Sequence, residues 1–407
     1  MTRKQIVLEK FLRYVRINTQ SKEDAVLFPS TDVQLDLAQL LVQELRDMGV
    51  NDAAVDEHGY VLGTIPATTG AQAPVIGLIA HMDTSPEVPG ENVKPHIIEE
   101  YQGGDIAVNA GLNVSIRVSE NPELNQCIGH TLVTSDGTTL LGADDKAGVA
   151  AIMTAAGEIL ADPAIPHGTV RIAFTPDEEV GEGVKFFDCK KFGADYAYTV
   201  DGGFPGEINR ETFSADAAAI EIEGRDIHPG TAKDIMVNAI RVASAIIARM
   251  PRDMAPETTE GYEPYIHPLH LQGTVFKATI KLILRDFKTE GLNTQKKILE
   301  DIIAEAREQY PKALIKLDIS ETYRNMREEL EKYPDVTGRL WNACLKAGVQ
   351  PEWKPIRGGT DGSRLTAMGL PTPNMFTGSC NHHSRNEWLS ADALAKAVEV
   401  LLNLVKY

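Results

Sequence analysis

Apolar positions along the chain recur at two spacings, one typical of helices and the other of strands. Spacings of three and four residues predict helices, which in the first half of the chain cover 3–17, 32–48 and 146–160. Short continuous apolar runs predict strands, which lie near 53–65, 75–80, 169–175 and 196–200. The run Pro29-Ser30-Thr31-Asp32 is predicted to cap the second helix, which stops at Gly49. Together these elements predict a βαβ-like core.

The pattern changes in the second half of the chain. Over 214–320, strand and helix patterns follow in the order βαββαβ, which is typical of a ferredoxin-like unit. Helical patterns then resume, at 336–348 and 390–406. We therefore predict an α/β fold in which a mixed-sheet domain, formed by 1–213 and 321–407, carries 214–320 as an inserted α+β domain. The stretch 86–128 shows no sustained period and is predicted to be a long loop or a small excursion.

Short polar clusters follow several of the strand-like runs. The five clusters are His81-Met82-Asp83, Asp144-Asp145-Lys146, Glu178-Glu179, Asp201 and His382-His383. In an open α/β sheet the carboxyl ends of the strands meet at one edge, where ligands bind. Carboxylates and imidazoles gathered there would repel one another or stay unpaired unless a cation held them. The clusters therefore predict a metal site that draws residues from both sides of the inserted domain.

Composition and charge narrow the class of protein without naming a substrate. The 407 residues are 43% hydrophobic and 24% charged, as in ordinary globular proteins. The formal charge of −18 argues against nucleic acid or an anionic membrane as a partner. The amphipathic, charged start and the lack of any apolar run near 18 residues give no sign of a signal peptide or membrane span. Four widely spaced cysteines indicate neither a disulfide framework nor a zinc ribbon, so a cytoplasmic location is expected.

The first two clusters have both a metal-binding and an ordinary interpretation. His81 and Asp83 point to the same side of a strand end, so Asp83 could orient His81 through its far ring nitrogen; alternatively, the pair is a rim histidine beside a solvated aspartate. In LLGADDKAG, Asp144 could bridge two cations, whereas one aspartate of the pair could simply cap the following helix. Capping explains one aspartate but not two.

The remaining clusters contain neighbouring residues that could take different roles at a metal site. Adjacent glutamates usually point apart on a solvated loop, but Glu178-Glu179 follow a buried strand directly, so one could bind metal while the other moves protons. Asp201 follows another strand and precedes two glycines that allow close approach. Of His382 and His383 only one need be a ligand.

Charge balance favours two ions over one. Two divalent cations are neutralised by Asp144, Glu179 and Asp201 together with one hydroxide. Zinc accepts such mixed nitrogen and oxygen ligands, and two-metal hydrolases hold their ions about 3.5–4 Å apart. A metal-bound hydroxide is then the nucleophile, and a free glutamate takes its proton and returns it to the leaving amine.

Eight motifs together resemble the peptidase T family of tripeptide aminopeptidases. They are HMDTSP, TLLGADDKAG, AFTPDEEVG, YTVDGG, HPGTAK, TEGY, IRGGTDG and NHH, and they run nearly from end to end. This family belongs to the co-catalytic di-zinc superfamily that includes glutamate carboxypeptidases and succinyl-diaminopimelate desuccinylases. The resemblance implies a di-zinc exopeptidase fold, two Zn²⁺ ions per subunit, a short peptide substrate and a homodimer formed through the inserted domain.

The resemblance also implies roles for individual residues. His81 and Asp201 would hold one zinc, Glu179 and His383 the other, and Asp144 would bridge the two. Asp83 would orient His81, and Glu178 would be the general base. Substrate contacts would come from four residues, namely His228, Arg285, Asn325 and Arg357. The resemblance further implies a cis peptide bond between Asp144 and Asp145.

Some alternatives remain open on the sequence. His382 stands where the family usually has an aromatic residue, beside Cys380, so either could compete with His383 for metal. Read from the residues alone, His228 could be a plain turn, Arg285 half of a local ion pair and Asn325 a loop residue, while Arg357 could cradle a carboxylate. A related di-zinc dipeptidase, carboxypeptidase or N-deacylase would use the same metal ligands. A non-catalytic metal-binding protein on this fold would have no need of Glu178.

Overall fold

The computed structural model describes residues 1–68 and 73–407, which form two compact units. The first unit comprises Met1–Arg210, Glu328–Lys354 and Thr360–Tyr407, and the second comprises Glu211–Arg327 and Pro355–Gly359. The predicted insertion, 214–320, lies inside the longer segment of the second unit. Residues 355–359 also belong to the second unit, which the sequence pattern did not predict.

The described residues contain ten α-helices and eighteen strands. The helices are α1 (Arg3–Tyr14), α2 (Gln34–Asp47), α3 (Ala143–Ala161), α4 (Cys189–Phe192), α5 (Ala239–Ala248), α6 (Thr289–Gln309), α7 (Arg327–Leu330), α8 (Pro334–Lys346), α9 (Asp361–Ala367) and α10 (Ala391–Val405). The first ten strands are β1 (Ala54–Val55), β2 (Val61–Ile65), β3 (Ile76–His81), β4 (His96–Ile98), β5 (Ile106–Asn109), β6 (Val114–Ile116), β7 (Leu132–Thr134), β8 (Val170–Thr175), β9 (Tyr196–Gly202) and β10 (Glu207–Asn209). The others are β11 (Ser214–Glu223), β12 (Tyr265–Gly273), β13 (Lys277–Asp286), β14 (Leu314–Tyr323), β15 (Glu352–Trp353), β16 (Asn374–Phe376), β17 (Ser379–Cys380) and β18 (Trp388–Ser390).

The first unit is built on an eight-stranded mixed sheet. Its strand order is β1-β2-β8-β3-β9-β16-β10-β15. The central strands β8, β3, β9 and β16 are parallel, and the pairs β1–β2, β2–β8 and β16–β10 are antiparallel. Every residue of β3 is buried, as expected for a strand covered on both faces. The carboxyl ends of β3, β8 and β9 therefore open at the same edge of the sheet.

Helix α3 packs tightly against this central region because small residues cover most of its surface. Fourteen of its residues are buried, among them five alanines that follow Lys146. At Gly148 an added Cβ atom would collide with the carbonyl oxygen of Val200 in β9. The glycine thus permits the close approach that brings the start of α3 to the strand carrying Asp201.

The predicted cap of α2 is wrong. The helix begins at Gln34 after Val33, which makes no side-chain capping hydrogen bond. The Ser30 hydroxyl instead donates to Asp177, and the Thr31 hydroxyl donates to the carbonyl of Gln20 at 2.7 Å. The polar run before the helix is thus used to join segments that are distant in sequence.

The stretch 86–128 contains short strands rather than loop alone. Strand β4 joins β7, β18 and β17 in a four-stranded antiparallel sheet, while β5 and β6 pair with each other. The three strands within 86–128, namely β4, β5 and β6, have three or four residues each, which is too short for a period to show in the sequence. The excursion encloses an apolar cluster around Leu124, Cys127 and Trp388.

The second unit has the predicted βαββαβ order. Its antiparallel sheet runs β12-β13-β11-β14 and is packed by α5 and α6. This spatial order is that of the ferredoxin-like unit. The predicted α/β fold class with an inserted ferredoxin-like α+β domain is therefore confirmed. None of the helices in 1–68 and 73–407 is long and apolar enough to cross a membrane.

Candidate metal centre

Two strand ends and one helix start bring the predicted ligands of the first ion together. His81 ends β3, Asp201 lies near the end of β9, and Asp144 lies in the first turn of α3. The Nε2 atom of His81 is 3.0 Å from Oδ1 of Asp144 and 3.6 Å from Oδ1 of Asp201. His81 is buried, with a side-chain exposure of 2%. Three residues that are far apart in the chain thus face one point.

A second group forms on the other side of Asp144. The Nε2 atom of His383 is 2.7 Å from Oε2 of Glu179 and 3.3 Å from Oδ2 of Asp144. The two carboxylate oxygens of Asp144 therefore face different histidines. This is the geometry that a bridging carboxylate requires.

His382 and Cys380 occupy different surroundings from His383. His382 contacts the hydroxyl of Ser379 through Nε2 at 2.8 Å, while its Nδ1 lies 3.4 Å from Oδ2 of Asp144. Cys380 packs against the apolar cluster around Trp388. Among the candidate ligands, His383 contacts two carboxylates and His382 only one, so the contacts favour His383 as the ligand.

Asp83 joins His81 to the loop that carries the two glutamates. The Nδ1 atom of His81 lies 3.1 Å from the Asp83 carbonyl oxygen and 3.4 Å from Oδ1 of Asp83. The Asp83 carboxylate also accepts hydrogen bonds from the backbone N–H groups of Glu178 and Glu179, at 3.0 and 3.2 Å. The Oε2 atom of Glu178 lies 4.0 Å from Nε2 of His81. Glu178 is thus beside the candidate ligands while its neighbour Glu179 faces His383.

The side chain of Asp145 contacts different groups from that of Asp144. The peptide bond between the two residues is cis. Its Oδ1 atom accepts a hydrogen bond from the backbone N–H of Gly148 at 3.0 Å, as a helix cap does. Its Oδ2 atom accepts from the backbone N–H of His81 at 3.2 Å. One aspartate of the pair therefore caps the helix, and the other is left to face the histidines.

Burial and the mutual charges of these groups shift their proton affinities. Burial raises the pKa of Glu179 to about 7 and the pKa of Glu178 well above its usual range. Burial also opposes ionisation of Asp144, but the nearby His382, His383 and His81 hold its pKa well below the usual range. Burial lowers the pKa of His81, yet the carboxylates of Asp201 and Asp144 outweigh it and raise that pKa well above its usual value.

The residues present suit divalent metal ions. Ligand atoms of His81, Asp144 and Glu179 lie within 4.8 Å of one another, as do those of His81, Asp145 and Asp201. Within the described part of the chain, the buried Oε1 atom of Glu179 has no hydrogen-bond partner. A buried carboxylate oxygen without a donor is costly, and a cation would satisfy it. The mixture of imidazole nitrogen and carboxylate oxygen is one that zinc accepts.

Several residues that support the site were missed by the sequence interpretation. The amide of Asn374 in β16 holds the backbone of Asp201, through bonds of 3.1 and 3.2 Å. Asp177 receives hydrogen bonds from Ser30, and Glu387 receives them from the backbone before Asp144. These polar residues carry no periodic signal; only the position of Asp177 and Glu387 close to predicted ligands could have drawn attention to them.

The four predicted substrate-binding residues all lie in the second unit. His228 is exposed, and its Nδ1 accepts a hydrogen bond from the backbone N–H of Gly230 at 3.1 Å. Arg285 lies over the ring of Tyr323, at 5.5 Å from its centroid. Asn325 accepts from the backbone N–H of Thr212 at 3.1 Å and donates to the Phe287 carbonyl at 3.0 Å.

Arg357 is tied to the TEGY segment of the same unit. Its guanidinium donates to the carbonyls of Gly261 and Glu263 and to the hydroxyl of Thr259, at 2.8–3.0 Å. It also stacks over the rings of Phe213 and Tyr265. Both Arg357 and Asn325 thus help to hold the second unit together.

Comparison with known proteins identifies the family to which this site belongs. A family profile described as peptidase family M20/M25/M40 matches residues 133–407, more than half of the chain. The chain belongs to this family. M20 peptidases are metal-dependent, so the predictions of a peptidase and of a metal cofactor are confirmed.

Relatives within the M20 family span the whole chain. Peptidase T of Geobacillus kaustophilus is 48% identical over 403 residues, covering 99% of this chain and 98% of the relative. The structure of aminopeptidase PepT from Bacillus cereus has a TM-score of 0.75 at 25% identity, covering 99% and 98% of the two chains. A tripeptidase from Staphylococcus aureus shares the fold, with a TM-score of 0.77 at 22% identity over 99% and 98% of the chains. The predicted resemblance to peptidase T is confirmed.

Proposed function

We propose that this M20 peptidase is an aminopeptidase that removes the N-terminal residue from short peptides, chiefly tripeptides. The observation that carries the proposal is the pair of histidine–carboxylate groups that share Asp144, with Glu178 beside them. A relative named peptidase T and an aminopeptidase structure match nearly the full chain. They support cleavage at the N-terminal end of the substrate. Other M20 specificities would use the same ligands, and they differ from an aminopeptidase in the peptides they cleave.

Two zinc ions per subunit are part of the proposal. His81 and Asp201 would hold one ion, Glu179 and His383 would hold the other, and Asp144 would bridge them. The two histidines facing opposite oxygens of Asp144 support this arrangement. Bound there, such ions would supply Lewis acidity that activates water and polarises a peptide carbonyl.

Glu178 would act as the general base, with Asp83 orienting His81. Glu178 lies beside the ligands, its neighbour Glu179 has a histidine partner, and burial raises the pKa of Glu178 as proton transfer near neutral pH requires. It would take a proton from the attacking water and deliver it to the leaving amine. The hydrogen bonds from the Glu178 and Glu179 backbone to Asp83 keep the base within reach of His81.

The second unit would supply the substrate contacts. His228 is exposed and has one ring nitrogen engaged by a backbone N–H, so the other can face a ligand. Arg285 and Arg357 carry positive charge that a peptide carboxylate would attract. Asn325 and Arg357 make several contacts within the unit, so their contribution would include keeping the binding surface in shape.

A homodimer through the second unit and a cytoplasmic location complete the proposal. Strand β12 is an edge of its sheet and exposes Leu269 and Leu271, by 56% and 46%, next to Phe276, exposed by 51%. The opposite edge, β14, exposes charged residues that discourage pairing, namely Lys316, Asp318 and Glu321. An apolar edge strand is a surface on which a second copy can pair. The four cysteines are free thiols, as suits a reducing compartment.

The substrate assignment is tested by comparing three peptides of related sequence. Purified, zinc-loaded protein would be assayed on a tripeptide, on the same tripeptide acetylated at its N-terminus, and on a dipeptide. We expect kcat/KM to be highest for the free tripeptide, with release of its first residue. Faster cleavage of the acetylated peptide would point to an N-deacylase or carboxypeptidase instead, and preference for the dipeptide would point to a dipeptidase. Glu178→Gln protein serves as the control for contaminating peptidases.

A further inference from the structure

The carboxylate of Glu387 is buried beneath the loop that leads to Asp144. It is 1% exposed and lies between β17 and β18. Its Oε2 atom accepts hydrogen bonds from the backbone N–H groups of Leu141 and Gly142, at 2.7 and 2.8 Å, and its Oε1 atom accepts from the backbone N–H of Asp144 at 3.0 Å. Both oxygens of one side chain are thus used to hold the backbone just before and at the candidate bridging ligand.

Placing a charge at this depth is unfavourable unless hydrogen bonds offset the loss of water. An unpaired buried carboxylate would be strongly destabilising, whereas a carboxylate that accepts hydrogen bonds at both oxygens can be buried without that penalty. Three backbone donors converge on Glu387, and together they satisfy both of its carboxylate oxygens. The arrangement therefore fixes the loop, and the loop has little freedom to move without leaving the carboxylate unpaired.

The segment that bears Glu387 also bears His383. Within 381–386 the Ser384 Oγ lies within hydrogen-bond distance of the Asn381 carbonyl oxygen and of Oδ1 of Asn386, and the Asn381 amide donates to the Asn386 carbonyl at 3.1 Å. These contacts make 381–387 a single internally bonded turn. The Glu387 N–H also donates to the Ser384 carbonyl at 3.4 Å, so Glu387 and the residue next to His383 belong to the same turn.

The two ends of this turn reach the same aspartate by different routes. His383 approaches the side chain of Asp144, with Nε2 at 3.3 Å from Oδ2, while Glu387 binds the backbone of Asp144. We propose that Glu387 is a positioning residue that sets the distance between Asp144 and His383, and so determines the affinity of the ion those two residues would share. The proposal rests on the two-ion site of the proposed function, but it concerns ion binding and not the choice of peptide.

The inference is tested with Glu387→Gln, which keeps the shape and one carbonyl oxygen. That oxygen can still accept from Leu141 and Gly142, but the new NH₂ group would face the N–H of Asp144 and cannot accept from it. We expect binding of Zn²⁺, measured on metal-free protein by competition with a chromophoric chelator, to weaken about 10- to 100-fold, as for other residues that orient metal ligands. The visible spectrum of the Co²⁺-loaded protein should change as well, because the ligand geometry is altered.

Asp188→Asn is the matched control, because Asp188 also accepts two backbone N–H bonds, from Lys190 and Lys191 at 2.9 and 3.0 Å, in the same unit. Its Zn²⁺ affinity and Co²⁺ spectrum should match those of the wild type. If Glu387→Gln fails to fold, Ser384→Ala, which loosens the same turn, is measured instead and should weaken Zn²⁺ binding in the same direction.

The inference would be overturned if the folded Glu387→Gln protein had wild-type Zn²⁺ affinity and an unchanged Co²⁺ spectrum. Where Ser384→Ala is measured instead, the same result in that variant would overturn it. The outcome is separable from that of the proposed function. If the wild-type protein binds Zn²⁺ but cleaves no peptide, the proposed function is contradicted. The role of Glu387 is then decided by the Zn²⁺ affinity of the variant. A wild-type protein that binds no Zn²⁺ would remove both.

Discussion

The Oδ1 atom of Asp83 accepts a hydrogen bond from the backbone N–H of Glu178 at 3.0 Å. Asp83 also lies against His81, whose Nδ1 is 3.4 Å from the same oxygen. One fully buried carboxylate therefore locates both a candidate ligand and the candidate base. Asp83 is predicted to orient His81, and its carboxylate also accepts hydrogen bonds from the loop that carries the glutamates.

Glu178→Gln should lose activity while keeping metal. A glutamine has the size of glutamate but cannot accept a proton, so kcat on a tripeptide should fall about 10²- to 10⁴-fold. Metal content, measured by elemental analysis, should stay at the wild-type value. Glu182→Gln is the control, because Glu182 lies in the same loop but pairs with exposed Lys185. Loss of zinc from Glu178→Gln, or retention of full activity, would show that the base has been assigned wrongly.

Asp144→Asn should weaken metal binding more than His81→Ala does. Asp144 faces both histidines, whereas His81 belongs to one side of the site only. Titration of metal-free protein with Zn²⁺ should show both binding steps weakened in Asp144→Asn and chiefly one in His81→Ala. Equal losses in the two variants would contradict a bridging role for Asp144.

His383 and His382 should differ in their effects on zinc content. His383→Ala removes the group that contacts both Glu179 and Asp144, so we expect about half of the bound zinc to be lost if two ions bind. His382→Phe should retain the wild-type zinc content, since His382 contacts Asp144 alone among the candidate ligands. The reverse order, measured by elemental analysis after dialysis, would make His382 the ligand.

Asp177→Asn should destabilise the loop that holds Glu178. Asp177 adopts φ = +57° and accepts hydrogen bonds from the Ser30 backbone at 2.6 Å and the Gln34 amide at 2.7 Å. An asparagine would turn an NH₂ group toward one of these donors, which should lower the free energy of unfolding by about 1–3 kcal/mol. Urea unfolding of Asp177→Asn, Ser30→Ala and the double variant would measure the coupling. Strict additivity of the two single effects would mean that the contact contributes nothing.

Leu271→Glu should dissociate the proposed dimer. The substitution places a charge on the apolar edge strand β12, where a second copy would pair. Sedimentation velocity should show a dimer for the wild type and a monomer for Leu271→Glu. Leu314→Glu on the opposite edge, where the leucine is 52% exposed, should leave the dimer intact. A wild-type monomer, or a Leu314→Glu monomer beside a Leu271→Glu dimer, would rule out this interface.

Much of the candidate site was predictable because its residues follow strongly apolar strands. Strands β3, β8 and β9 are buried and parallel, so their carboxyl ends meet at one edge of the sheet. Residues that follow such apolar runs, here His81, Glu179 and Asp201, could therefore be placed near one another from the pattern. The eight motifs supplied the resemblance that separated Glu178 from Glu179 and His383 from His382. The βαββαβ order was likewise visible, because each of its elements is long enough to show a period.

The sequence by itself determined the fold class, the inserted unit and the set of candidate metal ligands, since these depend on local periodicity and on motifs. Only the tertiary structure decided how the ligands are held. The Ser30 hydroxyl, in the run expected to cap α2, donates to Asp177, and Asp145 caps a different helix, α3. Asn374 and Glu387 hold the backbone of Asp201 and Asp144, about 170 to 240 positions away in the sequence. A hydrogen bond between such distant groups depends on where packing brings two segments together. No local pattern records that choice.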